Sequence, residues 1–203
     1  RDTWVVAYVA PKAISAGALI AMACDEIVMQ RNGRFGDCAP IVQGGKLEGV
    51  EREKIESPLR QEFRDSANHN GYDPLLAEAF VTHSIGIYEL RNRRTGERIL
   101  ADAEKLEKLT TPEPSQWGRQ GEEVVDGTLH VIIANRKTDR VRKLPASEAA
   151  VLLADQPSPW EKVQTVVDEG KLLTMTDREA ERYGLVKAVI TTDAELRDFF
   201  NVA

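Results

Sequence analysis

Hydrophobic residues in the first thirty positions fall into three runs, separated by turn-forming and small residues. The first run, residues 4–9, is short, rich in β-branched side chains and followed by Pro11, which is typical of a buried strand. The second run, residues 19–24, follows the small-residue segment 15–18 and is rich in helix formers. The third run, residues 27–29, again predicts a strand. Together they predict a strand, a tight turn, a buried helix and a second strand.

The next apolar pattern has the period of a helix. Ile55, Leu59, Phe63 and Ala67 recur every four residues within segment 51–70. Proline is best tolerated in a first helical turn, so Pro58 places the start of this helix near residues 54–58, with Ser57 as a possible cap. Residues 41–50 contain two adjacent glycines without periodicity and are predicted to be a loop. A second helix is expected to begin at Pro74, with Asp73 as its N-cap.

From residue 85 the pattern becomes β-rich. Strands are predicted at 85–90 and 97–100, and at 123–125 and 129–133, where Asp126-Gly127 is a strong signal for a hairpin turn. Residues 101–109 and 147–154 are predicted helices, and 110–120 is predicted to be a loop. A capping box of Thr176 and Glu179, and another of Thr192 and Glu195, then predict two further helices flanking a strand at 186–190.

Composition and charge exclude several classes of function. The chain has 203 residues, 42% hydrophobic and 30% charged, as in ordinary soluble globular proteins. Its net charge of −6 argues against a nucleic-acid partner, because phosphate binding needs clustered positive charge. No apolar run approaches the ~20 residues of a membrane span. Cys24 and Cys38 lack the spacing of a zinc site, so we expect no metal.

Ser15 is the first candidate for chemistry, because it falls at the predicted start of the first helix. Free backbone N–H groups at such a position, Ala16 first among them, are able to bind the oxyanion formed when a serine attacks a carbonyl. Gly17 and its small neighbours would let a substrate backbone approach. The simpler alternative is that Ser15 is an N-cap and nothing more, since serine is among the preferred residues there.

Several motifs of this sequence, taken in order, resemble one family. These are Ser-Ala-Gly-Ala at 15–18, Asp-Glu-Ile-Val-Met at 25–29, Gly-Asp-Cys-Ala-Pro at 36–40 and a terminal Gly-Leu-Val at 184–186. They are similar to the serine peptidases of the ClpP/crotonase fold, above all to the membrane-associated branch of signal peptide peptidase A and the NfeD proteases. The resemblance covers about residues 3–83 and 168–200.

The resemblance implies an α/β protein with a ClpP/crotonase-like fold that lacks its N-terminal βαβ segment and carries a β-rich insertion. We expect residues 1–84 to be the first part of the core, 85–168 the insertion and 169–203 the return to the core. Because the sequence begins at Arg1, almost directly in a strand, we expect it to be part of a longer protein. The absent upstream segment would supply a second oxyanion donor.

The resemblance also implies roles for particular residues. Ser15 would be the nucleophile and Lys54, 39 residues later, the general base. Ala16 would donate to the oxyanion, and Gly17 and Pro40 would contact the substrate. A lysine serves as a base only where burial disfavours its charged form. In its charged segment a solvated side chain is the simpler interpretation of Lys54.

The expected function is therefore a serine endopeptidase with a Ser-Lys dyad that needs no cofactor. Its substrates would be apolar peptide segments of membrane proteins, as in the resembled family, and a homo-oligomer is expected by analogy. The parent protein would be membrane-associated and face the periplasm or the cell exterior. Three alternatives stay open: a Ser-His arrangement with His69 or His83, a crotonase-type acyl-CoA enzyme and a non-catalytic scaffold. For the acyl-CoA enzyme, Glu48 or Glu51 would be the carboxylate.

Overall fold

The computed structural model describes residues 3–41 and 49–201 and is of the predicted mixed α/β class. Its strands are β1 (Val6–Val9), β2 (Lys12–Ile14), β3 (Glu26–Gln30), β4 (Arg34–Gly36), β5 (Ile87–Asn92), β6 (Arg98–Ala101), β7 (Trp117–Val125), β8 (Thr128–Asn135), β9 (Val141–Pro145), β10 (Trp160–Val167), β11 (Thr174–Thr176) and β12 (Ala188–Ile190). Its helices are α1 (Ala16–Met22), α2 (Gly49–Asn70), α3 (Pro74–Ala79), α4 (Ala103–Thr110), α5 (Ala146–Leu153), α6 (Asp177–Arg182) and α7 (Asp193–Phe200).

The chain divides into two compact units. The first comprises residues 1–89, 99–103 and 163–203, as far as these are described, and the second comprises 90–98 and 104–162. The whole second unit falls within the segment 85–168 that was predicted to be an insertion. That this segment is an insertion relative to other proteins stays a prediction.

The first unit contains the predicted strand–turn–helix–strand arrangement. Strands β1 and β12 both pair in parallel with β3, which lies between them. Three successive residues of β3, Ile27, Val28 and Met29, are completely buried, as expected for a parallel strand covered on both faces. The structure also contains strand β2, which the sequence pattern did not reveal and which lies directly before Ser15.

A second small sheet of the first unit holds the turn at Ser15. In it, β4 lies between β2, with which it is parallel, and β11, with which it is antiparallel. Gly36, the last residue of β4, has φ +128°. A Cβ atom there would lie 2.5 Å from the carbonyl oxygen of Leu173 and 2.7 Å from the ring of Phe80, so only glycine fits.

Helix α2 corrects the predicted helix in two respects. It begins at Gly49, so Pro58 lies in its interior rather than in its first turn, and residues 49–50 of the predicted loop are helical. Residues 42–48 of that predicted loop lie outside the described residues. The buried face carries Glu56, which is 3% exposed, whereas Ile55 is 42% exposed. The reason is the helical period: Glu56 precedes Ala67 by eleven residues, about three full turns, so these two side chains point in the same direction.

The second unit has its own sheet and its own small core. Strand β8 lies between β7 and β9 and is antiparallel to both. Asp126 and Gly127 have φ of 50° and 76°, which confirms the predicted hairpin turn. The predicted loop 110–120 was wrong at its end, because β7 begins at Trp117. Two glycines and an irregularity between Arg119 and Gly121 weaken the strand signal there.

The ends of three helices carry the predicted caps, one of them in part. Asp73 accepts from the backbone N–H of Leu75, and Thr176 and Glu179 form the predicted capping box. Thr192 accepts from the amide of Glu195 at the start of α7, but the Glu195 carboxylate accepts from the amide of Thr191, so only half of the second predicted box forms. Within the described residues, no helix has both the length and the apolar character that crossing a membrane requires.

Candidate active site

Ser15 lies on the turn between strand β2 and helix α1, and its side chain is exposed. Its backbone has φ 57° and ψ −130°, a conformation that non-glycine residues rarely adopt. The N–H of Ser15 donates to the carbonyl oxygens of Gly36 at 3.2 Å and Asp37 at 2.9 Å, so the neighbouring strand β4 holds the turn in place.

The N-cap alternative does not account for Ser15. The residue occupies the cap position of α1, but its side chain makes no capping hydrogen bond. A backbone in such a sparsely populated region costs about 1–3 kcal/mol and is found preferentially at functional sites. A strained serine between a strand and a helix, with its hydroxyl exposed, is the arrangement that presents a nucleophile in serine hydrolases.

Ala16 and Gly17 are the first two residues of α1, and their amides have no acceptor within the helix. A Cβ atom at Gly17 would have Ala13 Cβ as its nearest neighbour, at 3.8 Å, an ordinary contact distance. The fold therefore does not require glycine at this position. Whether Ala16 binds an oxyanion and Gly17 a substrate stays a prediction.

The segment after β4 passes close to the turn. The amide of Cys38 donates to the carbonyl oxygen of Phe80 at 2.6 Å and fixes this segment to the end of α3. Burial of the Cys38 thiol raises its pKa above the ordinary value, and the negative charge of Asp37 adds to this effect. Pro40, the predicted substrate contact, is half-buried two residues further on, and its role stays a prediction.

Lys54 lies in the second turn of α2, and its side chain is exposed. It precedes the completely buried Phe63 by nine residues, about two and a half helical turns, so it points to the opposite side of the helix. Pro58 has no N–H to donate to the carbonyl of Lys54. Ser15 and Lys54 are thus both exposed, and Lys54 lacks the buried surroundings that a lysine base requires. The dyad itself stays a prediction.

The buried face of α2 carries an ionic cluster. From the sequence, Arg60 and Arg64 were expected to form exposed ion pairs with Glu56, Glu62 or Asp65, but Glu56 is buried. The carboxylate of Glu56 lies 2.5 Å from Arg52 Nε and 3.5 Å from Arg60 Nη1. Arg60 also donates to Thr82 Oγ1 at 3.2 Å. The signal for this cluster was the i, i+4 spacing of Arg52, Glu56 and Arg60, which places the three side chains on one helical face.

Neither of the two histidines considered as alternative bases is hydrogen-bonded to Ser15. His83 Nε2 lies 3.0 Å from Arg52 Nη1, and its Nδ1 is buried without a hydrogen-bond partner. His69 is in the last turn of α2 and lines a cavity of about 1090 Å³ together with Asp25 and Asp65. Within residues 3–41 and 49–201, no three His, Cys, Asp or Glu side chains form a group that could hold a metal ion.

Comparison with protein families assigns the chain. The family model of the NfeD1b N-terminal domain matches residues 1–111, which is more than half of the sequence. The chain belongs to the NfeD1b N-terminal domain family. The NfeD part of the sequence resemblance is thereby confirmed, and the matched residues include Ser15, Lys54 and Pro40.

A curated relative of the NfeD1b domain is the membrane protein NfeD1b of Bacillus subtilis (strain 168), 35% identical over 101 residues. The match covers 50% of this chain and 22% of that protein, so the chain spans about a fifth of its relative.

Two solved structures of the 1510-N membrane-bound stomatin-specific protease also resemble this chain. One is a serine-to-alanine mutant, and the other is a lysine-to-alanine mutant with a substrate peptide. Each match covers 95% of this chain at 16% identity and a TM-score of 0.45, and spans 53% and 50% of the respective protease chains. Similarity at this level does not establish a common fold.

Proposed function

We propose that this chain is a serine endopeptidase domain with a ClpP-like fold and that Ser15 is its nucleophile. The observation that carries the proposal is the backbone of Ser15, with φ 57° and ψ −130° on an exposed turn between a strand and a helix. Helix capping does not explain the strain at this position, because the side chain makes no capping hydrogen bond. Because the residue is exposed, a substrate carbonyl is able to reach its hydroxyl.

The proposed reaction is peptide-bond hydrolysis through an acyl-enzyme. Ser15 Oγ attacks the carbonyl carbon while the unprotonated amine of Lys54 accepts the hydroxyl proton. The carbonyl oxygen becomes an oxyanion and accepts a hydrogen bond from the amide of Ala16. The C–N bond then breaks as Lys54 returns the proton to the leaving amine. Water releases the acyl group as a carboxylic acid and restores Ser15.

The proposed base adds a structural requirement. A lysine accepts a proton near neutral pH only where its charged form is disfavoured by burial, and Lys54 is exposed. The proposal therefore requires that a bound substrate, or another polypeptide, covers Lys54 before the acyl step. An apolar peptide lying over Gly17 and Pro40 would exclude water in this way.

The substrate and the setting of the domain belong to the same proposal. Apolar peptide segments of membrane proteins are the proposed substrates, and a homo-oligomer is the proposed assembly. Support comes from membership in the NfeD1b N-terminal domain family and from the relative whose name marks it as a membrane protein. The proposed location is the periplasmic or exterior side of a membrane.

One observation favours a second candidate function. Lys54 points away from the buried face of α2, as it would in a domain that retains the fold for assembly and has no peptidase activity. A crotonase-type enzyme is the remaining alternative, and calorimetry with an acyl-CoA ester tests it, because only that alternative predicts binding.

The experiment that tests the proposal is cleavage of a set of apolar peptides by the chain, followed by mass spectrometry. The proposal predicts cleavage that Ser15→Ala abolishes and that Lys54→Ala lowers at least about a hundredfold, the usual contribution of a general base. Ser84→Ala, which changes another exposed serine, is the matched control and should leave cleavage unchanged. Absence of cleavage together with a folded chain would favour the non-catalytic candidate.

A further inference from the structure

The segment from residue 85 to residue 170 contains the same sequence pattern twice. When residues 85–127 are aligned with 128–170, a shift of 43 positions, ten of the 43 residues are identical. The identical residues include the most distinctive ones of the segment, namely Asn92 and Asn135, Thr95 and Thr138, Ser115 and Ser158, Trp117 and Trp160. We call residues 85–127 the first copy and residues 128–170 the second copy.

The helices and strands of the two copies also recur in the same order, displaced by about 43 residues. The first copy contains β5, β6, α4 and β7, and the second contains β8, β9, α5 and β10, in the same order. Helix α4 covers Ala103–Thr110 and α5 covers Ala146–Leu153, so both of their ends differ by the same 43 positions. Strands β7 and β10 begin at the two equivalent tryptophans, Trp117 and Trp160.

Contacts within each copy are also repeated. The side-chain oxygen of Asn92 accepts from the amide of Arg94 at 2.9 Å, and Asn135 does the same with Lys137 at 3.0 Å. The amide of Asn92 donates to Glu97 at 2.8 Å, as that of Asn135 donates to Arg140 at 2.9 Å. Each copy therefore builds its first hairpin around an asparagine in the same geometry.

The contacts between the copies are reciprocal. The amide of Arg93 donates to the carbonyl oxygen of Pro159 at 2.7 Å, and the equivalent Arg136 donates to Gln116 at the same distance. Glu113 and Gln156, which are themselves equivalent, each donate to the other's carbonyl at 2.9 and 2.8 Å. An interface in which residue i contacts j while the equivalent of j contacts the equivalent of i has two-fold symmetry.

Two buried serines form hydrogen bonds across this interface in the same reciprocal way. Ser115 Oγ donates to the carbonyl oxygen of Leu152 at 2.5 Å, and Ser158 Oγ donates to that of Leu109, the equivalent residue of the first copy. Each hydroxyl also accepts, at 3.0 Å, from the amide of the tryptophan two residues later. Both serines are more than nine-tenths buried.

The two copies make the same contacts with each other although they have different surroundings. Val167 of the second copy is 7% exposed and belongs to the core of the first unit, whereas the equivalent Val124 is 66% exposed. The interface between the copies is the same although their outer faces differ. The last strand of each copy also lies beside the first strand of the other, β7 beside β8 and β10 beside β5.

We infer that residues 85–170 are a duplicated domain, in which two copies of one ββαβ unit bind each other through a two-fold interface and complete each other's sheets with their last strands. The partner that fits this surface is a second copy of the same unit, here supplied by the same chain. The domain begins and ends at one place, because the amide of Gly170 donates to the carbonyl oxygen of His83 at 2.6 Å. Adjacent ends are what insertion into a loop requires.

Amide hydrogen exchange of the whole chain, followed residue by residue by NMR, tests the inference. If the copies separate only together, the amides of Arg93 and Arg136 have the same protection, as do those of Trp117 and Trp160, to within about threefold after correction for intrinsic rates. Protection that differs by more than about thirtyfold between equivalent amides would contradict a shared interface.

Substitution of one serine at a time tests the reciprocity. Ser115→Ala removes the acceptor of the Trp117 amide and one bond between the copies. We therefore expect exchange to become at least about tenfold faster at Trp117 and also at Trp160, which keeps its own serine. Ser158→Ala should give the mirror-image result. Ser147→Ala, at an exposed position of α5, is the control and should change neither amide. Faster exchange at Trp117 with Trp160 unchanged would overturn the inference.

Discussion

The backbone N–H of Ser15 donates to the carbonyl oxygen of Asp37 at 2.9 Å, and both residues have positive φ, 57° and 46°. Strands β2 and β4 thus end side by side, and the residue after each strand has a conformation unusual for a residue other than glycine. Neither conformation is explained by a helix cap. The geometry of the candidate nucleophile therefore depends on the strand beside it as much as on its own helix.

Gly36→Ala should disturb that strand. An alanine would have φ +128° and a Cβ atom 2.5 Å from the carbonyl oxygen of Leu173, so we expect a loss of about 3 kcal/mol in the free energy of unfolding. Gly71→Ala is the matched control: its φ is +73°, but no atom lies within 4 Å of the added Cβ, so it should lose only about 1 kcal/mol. Urea unfolding measures both, and equal losses would contradict the packing argument.

Gly17→Ala tests the binding of a substrate without lowering the stability of the chain. The added methyl group fits beside Ala13 at 3.8 Å, and alanine is favoured over glycine in a helix by about 0.5–1 kcal/mol, so the chain should be as stable as before or slightly more so. If a substrate backbone passes over this residue, the methyl group raises KM for peptide cleavage. An unchanged KM would remove Gly17 from the proposed substrate site.

Glu56→Ala should be strongly destabilising. The carboxylate is 3% exposed and pairs with Arg52 and Arg60, whose charges would be left without it on the buried face of α2. Because both arginines are partly exposed, we expect a loss of about 2–3 kcal/mol, below that of a fully buried pair. Glu62→Ala, on an exposed position of the same helix, should change the free energy of unfolding by less than about 0.5 kcal/mol. A small loss of stability for Glu56→Ala would show that water solvates the charges of the two arginines in place of the carboxylate.

The Cys38 thiol should make the chain less stable in alkali. Burial raises its pKa in the folded state above the ordinary value of 9.0. Its contribution to stability is therefore complete below the pKa of the unfolded thiol and is lost as pH rises through the pKa of the folded one. Between pH 8 and pH 10, the free energy of unfolding measured with urea should fall more steeply with pH for the wild type than for Cys38→Ala. If it falls equally for both proteins, the pKa of the Cys38 thiol is not raised by folding.

The strand–turn–helix–strand arrangement around Ser15 was predictable because its signals are local. β-branched runs mark β1 and β3, and small residues mark the turn. The burial of Glu56 was not predicted, because a charged residue is normally assigned to an exposed face. The same extension of α2 moved Lys54 from the expected helix start to the second turn.

The duplication was hidden for a different reason. Only ten of 43 positions are identical, and the apolar positions of the two copies differ because their outer faces have different surroundings. What is repeated is a set of contacts made by Asn, Ser and Trp, residues that hydrophobic periodicity does not weigh. Strands β9 and β10 were missed as well, because adjacent charged residues, Arg142-Lys143 and Glu161-Lys162, weaken their strand signals.

Covalent labelling of Ser15 by a fluorophosphonate is the most direct test of the central claim, that this serine is a nucleophile. The chain is incubated with a fluorophosphonate joined to an apolar peptide, which would cover Lys54 as the proposed substrate does. Its intact mass is then measured, and the modified residue is identified by peptide mapping. The account predicts one adduct per chain, located on Ser15, absent from Ser15→Ala and formed unchanged in Ser84→Ala. A folded chain that gains no adduct, or that gains one on another serine, would contradict it.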